Sequence, residues 1–284
     1  MHRYLKLVRP KQWIKNAFVF APLFFAHQFT NMNGWYFSLL AACGFLCVSC
    51  VVYIVNDMKD ITEDRLHPVK CLRPLAAGTV TMTQAVFLAC IAAVFTTFIL
   101  AKLPKECTYI AAVYVGLNLC YTLFLKRVAI IDVFFIAFCY VLRVLMGCYA
   151  LKVTVSPWII LTTFLLSLFL GFGKRYHEVG IVGYNQHKPN LRNYNRDLLD
   201  RLVTICGGAT LITYAIYTAE ISHQIGHVEI VYTLAFVAFG LFRYLQSVYV
   251  MHEGGEPENI IIKDRLQLAN AALWLITTLW ILSW

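Results

Sequence analysis

The sequence predicts an all-α polytopic membrane protein, a bundle of nine transmembrane helices with a cytoplasmic N-terminus. Three observations carry that prediction. Hydrophobic residues make up 60% of the 284-residue chain. Charged residues make up only 14%, where a soluble domain carries roughly 25%. The charges also gather in short clusters between long apolar runs, as a bilayer demands of segments that cross it.

A transmembrane helix needs about 20 mostly apolar residues. Nine stretches qualify: 12–29, 34–55, 82–101, 107–125, 129–151, 156–173, 203–221, 228–250 and 266–284. Lys15 and Asn16 interrupt the first near its start. Lys and Arg then set the orientation, because they accumulate in cytoplasmic connections. Arg3, Lys6, Arg9, Lys11 and Lys15 precede or open the first span. Lys59, Arg65, Lys70 and Arg73 follow the second, and Lys126 and Arg127 the fourth. Lys174, Arg175, Lys188, Arg192, Arg196 and Arg201 follow the sixth, and Lys263 and Arg265 the eighth. Nineteen of the 24 cations thus share one side. The other side holds Lys102, Lys105 and Lys152, while Arg143 and Arg243 fall within spans. The N-terminal cations meet no small-residue cleavage site, so the segment reads as retained and not as a signal peptide. No linker or low-complexity tract divides the chain, which reads as one domain, 1–284.

Several function classes fall away. A net charge of +9 in so apolar a chain reflects topology and anionic lipid, not nucleic acid. The ten cysteines sit almost wholly in apolar runs. Cys47 and Cys50 form a CxxC inside FLCVSCVVYIV, where they read as small apolar residues without polar support for redox or metal chemistry. His223 and His227 lie in a polar outward loop. HEGGE at 252–256 is not HExxH; Glu253, Glu256 and Glu258 read as an exposed loop, with a lid as the alternative. Neither a P-loop nor a GxSxG elbow is present.

The chemistry concentrates in NDMKDITEDRLHPVKCLRP, 56–74. On a helix Asp57, Asp60 and Asp64 are spaced i, i+3, i+7, which places three carboxylates on one face. Unshielded, they would repel. Mg²⁺ removes the conflict, since it takes oxygen ligands, keeps several waters and bridges to phosphates. Arg65, Lys70 and Arg73 follow, with Pro68 and Pro74 ending helical continuation. Carboxylates for a metal and cations for phosphate oxygens suit a metal–diphosphate. The simpler alternative is a solvated helix end paired with Lys59 and Arg65.

Two further clusters face the same compartment. In GKRYHE, 173–178, Lys174 and Glu178 stand i, i+4; the alternatives are a membrane-end pair or a second phosphate and metal contact. Lys126 and Arg127 form a turn, and Asp132 and Arg143 follow inside the fifth span. Ionisable groups in a membrane pair or line a cavity. Eleven residues separate these two, about 16 Å of helix at 1.5 Å per residue, so they cannot pair directly. Asp132 is a site candidate; Arg143 reads as an anchor toward the outer leaflet or a neighbouring helix. Topology allows the clusters to converge at one cytoplasmic mouth. A transporter would show paired repeats and midplane charges; no repeat is evident, and these charges lie at one surface.

NDMKDITEDRLHPVKCLRPLAAG resembles the first aspartate-rich motif, NDxxDxxxD, of the UbiA prenyltransferase superfamily, whose members share nine spans and cytoplasmic polar motifs. Within it, RPKQWIKN (9–16), HPVKCLRPLAAG (67–78), LKRVAIIDV (125–133) and SPWIILTTFLLSLFLGFGKRYHE (156–178) resemble the decaprenyl-phosphate phosphoribosyltransferases. Aromatic prenyltransferases usually carry a second DxxxD in the sixth connection; this chain has KRYHE.

The resemblance implies a UbiA-like bundle in the plasma (inner) membrane with its active site facing the cytoplasm. It implies transfer of 5-phosphoribosyl from phosphoribosyl diphosphate to decaprenyl or another polyprenyl phosphate, for arabinan precursors of the cell envelope. The alternative is transfer of a polyprenyl group from its diphosphate to an aromatic or other acceptor. Mg²⁺ is the implied cofactor, held by Asp57, Asp60 and Asp64. Asp57, Asp60 and Lys174 are the implied catalytic residues. Asn56, Lys15, Lys70, Arg73, Tyr121, Lys126, Asp132, Lys174, Arg175 and Glu178 are the implied substrate contacts. The implied partners are the two substrates and membrane lipid, with a homo-oligomer allowed.

Overall fold

A bilayer core has no water to satisfy a bare backbone, so apolar runs must close their hydrogen bonds internally as helices. The computed structural model describes residues 2–66, 69–126, 128–180, 189–251, 255, 260 and 263–283, and their regular structure is all helical. His67, Pro68, Arg127, the connection 181–188 that contains Lys188, and Glu253, Glu256 and Glu258 of the expected loop lie outside the described residues.

The helices in chain order are α1 His2–Leu7, α2 Ala21–Phe25, α3 Met32–Lys59, α4 Ile61–Leu66, α5 Met82–Leu100 and α6 Lys105–Cys120. They continue with α7 Ile131–Leu151, α8 Pro157–Val179, α9 Arg196–Ile225, α10 Leu234–Tyr249 and α11 Arg265–Leu282. A π-helical turn, Tyr121–Leu125, extends α6. Among the described residues 8 helices are long and apolar enough to cross a membrane, matching the second to ninth expected spans. The first, 12–29, is not one continuous helix. Pro10–Phe20 is a 3₁₀ helix and α2 restarts with Pro22 in its first turn. Proline lacks the N–H that a continuing helix would use, and it suits a new first turn.

The chain forms two units. The first contains residues 1–124 and 142–154, the second 125–141 and 155–284. In the first, α3 packs on α5 where Gly44 meets Ile99, and a Cβ on Gly44 would lie 3.1 Å from it. The rings of Phe45 and Tyr114 sit 4.7 Å apart. The 3₁₀ segment is held against α7: a Cβ on Gly147 would lie 2.1 Å from the Val19 carbonyl oxygen. One turn earlier Arg143, 3% exposed, donates from Nε to Asn16 Oδ1 at 3.1 Å. Its guanidinium also lies over the rings of Phe45 and Tyr114. Of the two roles expected for Arg143, the structure selects the anchor to neighbouring elements.

In the second unit α8 packs along α9 around a core that includes Val133, Phe169, Phe172, Leu199, Val203 and Tyr244. Glycine permits the close approaches that drive helix association in lipid, where burial of apolar surface gives little: Gly207 lies against Phe169 and Gly173 against Tyr244. α11 is capped by Asp264, which accepts from the Leu266 and Gln267 N–H groups and from Arg243 Nε on α10 at 2.6 Å. None of the ten cysteines is in a disulfide.

Gly147→Ala should force the 3₁₀ segment outward and lower stability by about 1–3 kcal/mol, the usual cost of overpacking, seen as a lower melting temperature in detergent. The bond from Arg243 holds the Asp264 pKa below the ordinary carboxylate value. A depressed carboxylate stabilises the fold above its unfolded pKa, about 3.9, and that contribution is lost as pH falls through the folded value. Asp264→Asn should therefore melt below wild type at pH 7, and the difference should close as the pH drops below about 4.

Candidate active site

The acidic motif straddles the end of α3. Asn56 and Asp57 occupy its last turn and Asp60 ends it, yet helical hydrogen bonding continues: Asp60 N–H donates to Asn56 O at 2.9 Å and Asp64 N–H to Asp60 O at 2.8 Å. That continuity keeps Asp57 and Asp64 on one side, each 2% exposed, with Asp60 half-buried at the joint. The segment after α4 folds back over them through a 3₁₀ turn, Lys70–Leu72, and buried Pro74, whose carbonyl accepts from Thr79 and Val80.

This return delivers Arg73. A single nitrogen, Nη1, donates to Asp57 Oδ1 at 3.0 Å and to Asp64 Oδ2 at 2.6 Å. Lys70 Nζ lies 3.6 Å from Asp64 Oδ1. Arg9 Nη2 bonds to Asp57 Oδ1 from the N-terminal segment. Arg9 adopts a left-handed backbone, φ 51°, and its guanidinium lies 5.2 Å from the centre of the Tyr53 ring. Non-glycine residues rarely hold that conformation without compensating contacts. Burial, and then the charge of Arg73, push the Lys70 pKa below the usual lysine value. Lys59 and Arg65 donate to the backbone carbonyls of Thr122 and Ala76. The Thr122 hydroxyl lies 2.8 Å from Asn56 Oδ1 and 2.7 Å from the Asn118 carbonyl oxygen.

The expected metal trio is changed in one respect. Among the described residues no three His, Cys, Asp or Glu side chains gather tightly enough to hold a metal. Asp57 and Asp64 instead form a buried pair that shares the positive charge of Arg73, with Asp60 half-buried at the joint between them. That donor set still fits Mg²⁺: it is all oxygen, it already stabilises a cation between two carboxylates, and Mg²⁺ usually takes one or two carboxylates and completes its shell with water and phosphate.

A second cluster lies in the second unit. Asp132, 0% exposed, receives Arg175 Nε at 2.8 Å on one oxygen and the Tyr194 hydroxyl at 2.9 Å on the other. Arg175 Nη1 also bonds to Glu178. The Tyr194 hydroxyl accepts from the N–H of Ile130, a β-branched residue in left-handed conformation at φ 70°. Burial and the Asp132 carboxylate push the Tyr194 pKa upward, so its hydroxyl stays a donor. Asp132, Arg175 and Glu178, expected as substrate contacts, are thus bound to one another. Lys174 and Lys126 are half-buried next to this cluster in sequence, and in the first unit Lys15 and Tyr121 are half-buried on the 3₁₀ helix and the π-helical turn.

Sequence reading missed Arg9, Thr122 and Tyr194 as members of these clusters. Arg9 stood in the quoted RPKQWIKN motif but read only as a topology charge. Nothing local marks Thr122 or Tyr194, whose partners lie 66 and 62 residues away.

The sequence pattern of the UbiA prenyltransferase family matches residues 17–254. The chain belongs to that family. It is 29% identical to a decaprenyl-phosphate phosphoribosyltransferase of Mycobacterium tuberculosis over 96% of this chain and 92% of the relative. It is 30% identical to one of Corynebacterium glutamicum, over 95% and 83%. The structure of a UbiA homolog from Archaeoglobus fulgidus bound to DMAPP and Mg²⁺ aligns with TM-score 0.71 and 17% identity over 99% of both chains, a likeness of UbiA fold.

In this UbiA-family chain Arg175→Met removes the guanidinium that bonds both Asp132 and Glu178 and should cost about 3–5 kcal/mol. Tyr194→Phe strands one donor and one acceptor and should cost about 1–3 kcal/mol. Melting temperatures in detergent at neutral pH measure both, with Arg175→Met the more severe.

Proposed function

We propose that this chain is a Mg²⁺-dependent pentosyltransferase that moves 5-phosphoribosyl from phosphoribosyl diphosphate to decaprenyl or a similar polyprenyl phosphate and releases diphosphate. The observation that carries the reading is the likeness along nearly the whole chain to decaprenyl-phosphate phosphoribosyltransferases, at 29–30% identity. KRYHE in place of a second aspartate-rich motif supports it. Nine crossings in one domain, a plasma-membrane location, a cytoplasmic site and a product used in cell-envelope assembly belong to the same reading, supported by the one-sided distribution of Lys and Arg.

Asp57 and Asp64, with Asp60 and Asn56, would hold the metal, which when bound neutralises charge on the donor diphosphate. Arg73, Arg9 and Lys70 then meet diphosphate oxygens with charge-assisted hydrogen bonds. These cations matter most as the ribose C1–oxygen bond breaks, because its electron pair leaves with the diphosphate and their attraction grows with that charge. An oxygen of the acceptor phosphate forms the new bond to C1 from the opposite face, inverting the centre. The acceptor is ionised at neutral pH, so no side chain must remove a proton, consistent with a cluster of cations and carboxylates. The family resemblance is what supports giving Lys126 the acceptor phosphate or the ribose 5-phosphate and Lys174 a further phosphate contact. Arg175 has two of its nitrogens on carboxylates, and it supports Lys174 from the adjacent position.

Purified protein with Mg²⁺, phosphoribosyl diphosphate and a polyprenyl phosphate should yield a lipid of the phosphoribosyl-adduct mass. Turnover only of a polyprenyl diphosphate with an aromatic acid would replace this reading with prenyl transfer. Asp57→Asn should lower kcat/KM at least about 100-fold, since it weakens the hold on the metal that neutralises the leaving diphosphate; an unchanged rate and Mg²⁺ dependence would remove Asp57 from the metal site.

A further inference from the structure

Thr122 sits in the π-helical turn Tyr121–Leu125, a local distortion of a kind that often marks functional sites. Its hydroxyl oxygen is 2.7 Å from the Asn118 backbone carbonyl. With Oδ1 of Asn56 on its other side at 2.8 Å, two acceptors compete for one hydroxyl proton. A carbonyl can only accept, whereas an asparagine amide can also donate. The oxygen and nitrogen of an amide are assigned by the hydrogen-bond network around them. Turning the Asn56 amide by half a rotation satisfies both contacts: Thr122 donates to Asn118, and Asn56 donates to Thr122. Lys59 Nζ fixes the same turn by donating to the Thr122 carbonyl at 3.0 Å, so the turn is tied to α3 at two points, one on each side of Asp57.

We propose that Thr122 is a positioning residue that sets the orientation of the Asn56 amide, directing its oxygen away from Thr122 to serve as a neutral ligand beside the Asp57 and Asp64 carboxylates. The inference rests on the metal role in the proposed function. Without the hydroxyl, both amide orientations become available and the oxygen is no longer presented in a single direction. Residues that orient metal ligands typically contribute about 10–100-fold to metal affinity.

Mn²⁺ serves as the probe, with the free ion read by electron paramagnetic resonance in full-length protein in detergent and no substrate present. Thr122→Val should weaken Mn²⁺ binding about 10-fold, while Thr122→Ser, which keeps the hydroxyl, should bind like wild type. Because Thr122 acts through Asn56, the double variant Asn56→Ala with Thr122→Val should bind no more weakly than Asn56→Ala alone. Equal affinity in wild type and Thr122→Val, or additive losses in the double variant, overturns the inference and leaves the metal role standing. A wild-type protein that binds no Mn²⁺ overturns the metal role and the inference with it. Melting temperatures report folding; if Thr122→Val does not fold, Thr122→Ala against Thr122→Ser makes the same comparison with the same two outcomes.

Discussion

Two carboxylates buried at the end of a membrane helix need a counter-charge close by, and the bridge from Asp57 through Arg73 to Asp64 supplies it. Removing water from a charge costs several kcal/mol, which close and well-directed counter-ions must offset. The surrounding fold follows from this need. The chain after α4 must return, so a short 3₁₀ turn and buried Pro74 reverse it. The N-terminal segment must pass close to Asp57, and Arg9 takes a left-handed backbone there while stacking on Tyr53. Local strain at Arg9 is compensated by the ion contact it makes possible.

The two units resolve buried charge in opposite ways. In the first, two carboxylates meet Arg9, Lys70 and Arg73. Three cations against two carboxylates suit a cluster that receives an anion, since phosphate oxygens accept the same charge-assisted hydrogen bonds. In the second, Asp132 and Glu178 meet Arg175, and Tyr194 adds a neutral donor. That cluster is deeply buried, with its members bonded to one another, which suits a framework. It also steadies Ile130, whose left-handed conformation begins α7.

Away from the ion clusters, small residues do most of the specifying. Lipid competes with side chains for apolar contact, so helices associate where their backbones can come close. Gly147 against Val19, Gly44 against Ile99 and Gly207 against Phe169 are such points. The 3₁₀ conformation of residues 10–20 belongs to the same logic: Pro10 and Pro22 bound it, and Asn16 turns inward to Arg143.

The sequence by itself determined the class of fold, eight of the helices and the acid-then-base order of residues 56–74, because hydropathy, charge spacing and proline act locally along the chain. It also carried the resemblance to the UbiA family, since the motifs are contiguous. Only the tertiary structure decided the partners. It broke the first expected span into a 3₁₀ and an α segment and brought Arg9 across 48 residues to Asp57. It also bound Arg175 to Asp132 and placed Thr122 beside Asn56. Such pairings depend on where distant helices end relative to one another, and a periodic pattern within one helix holds no record of that distance.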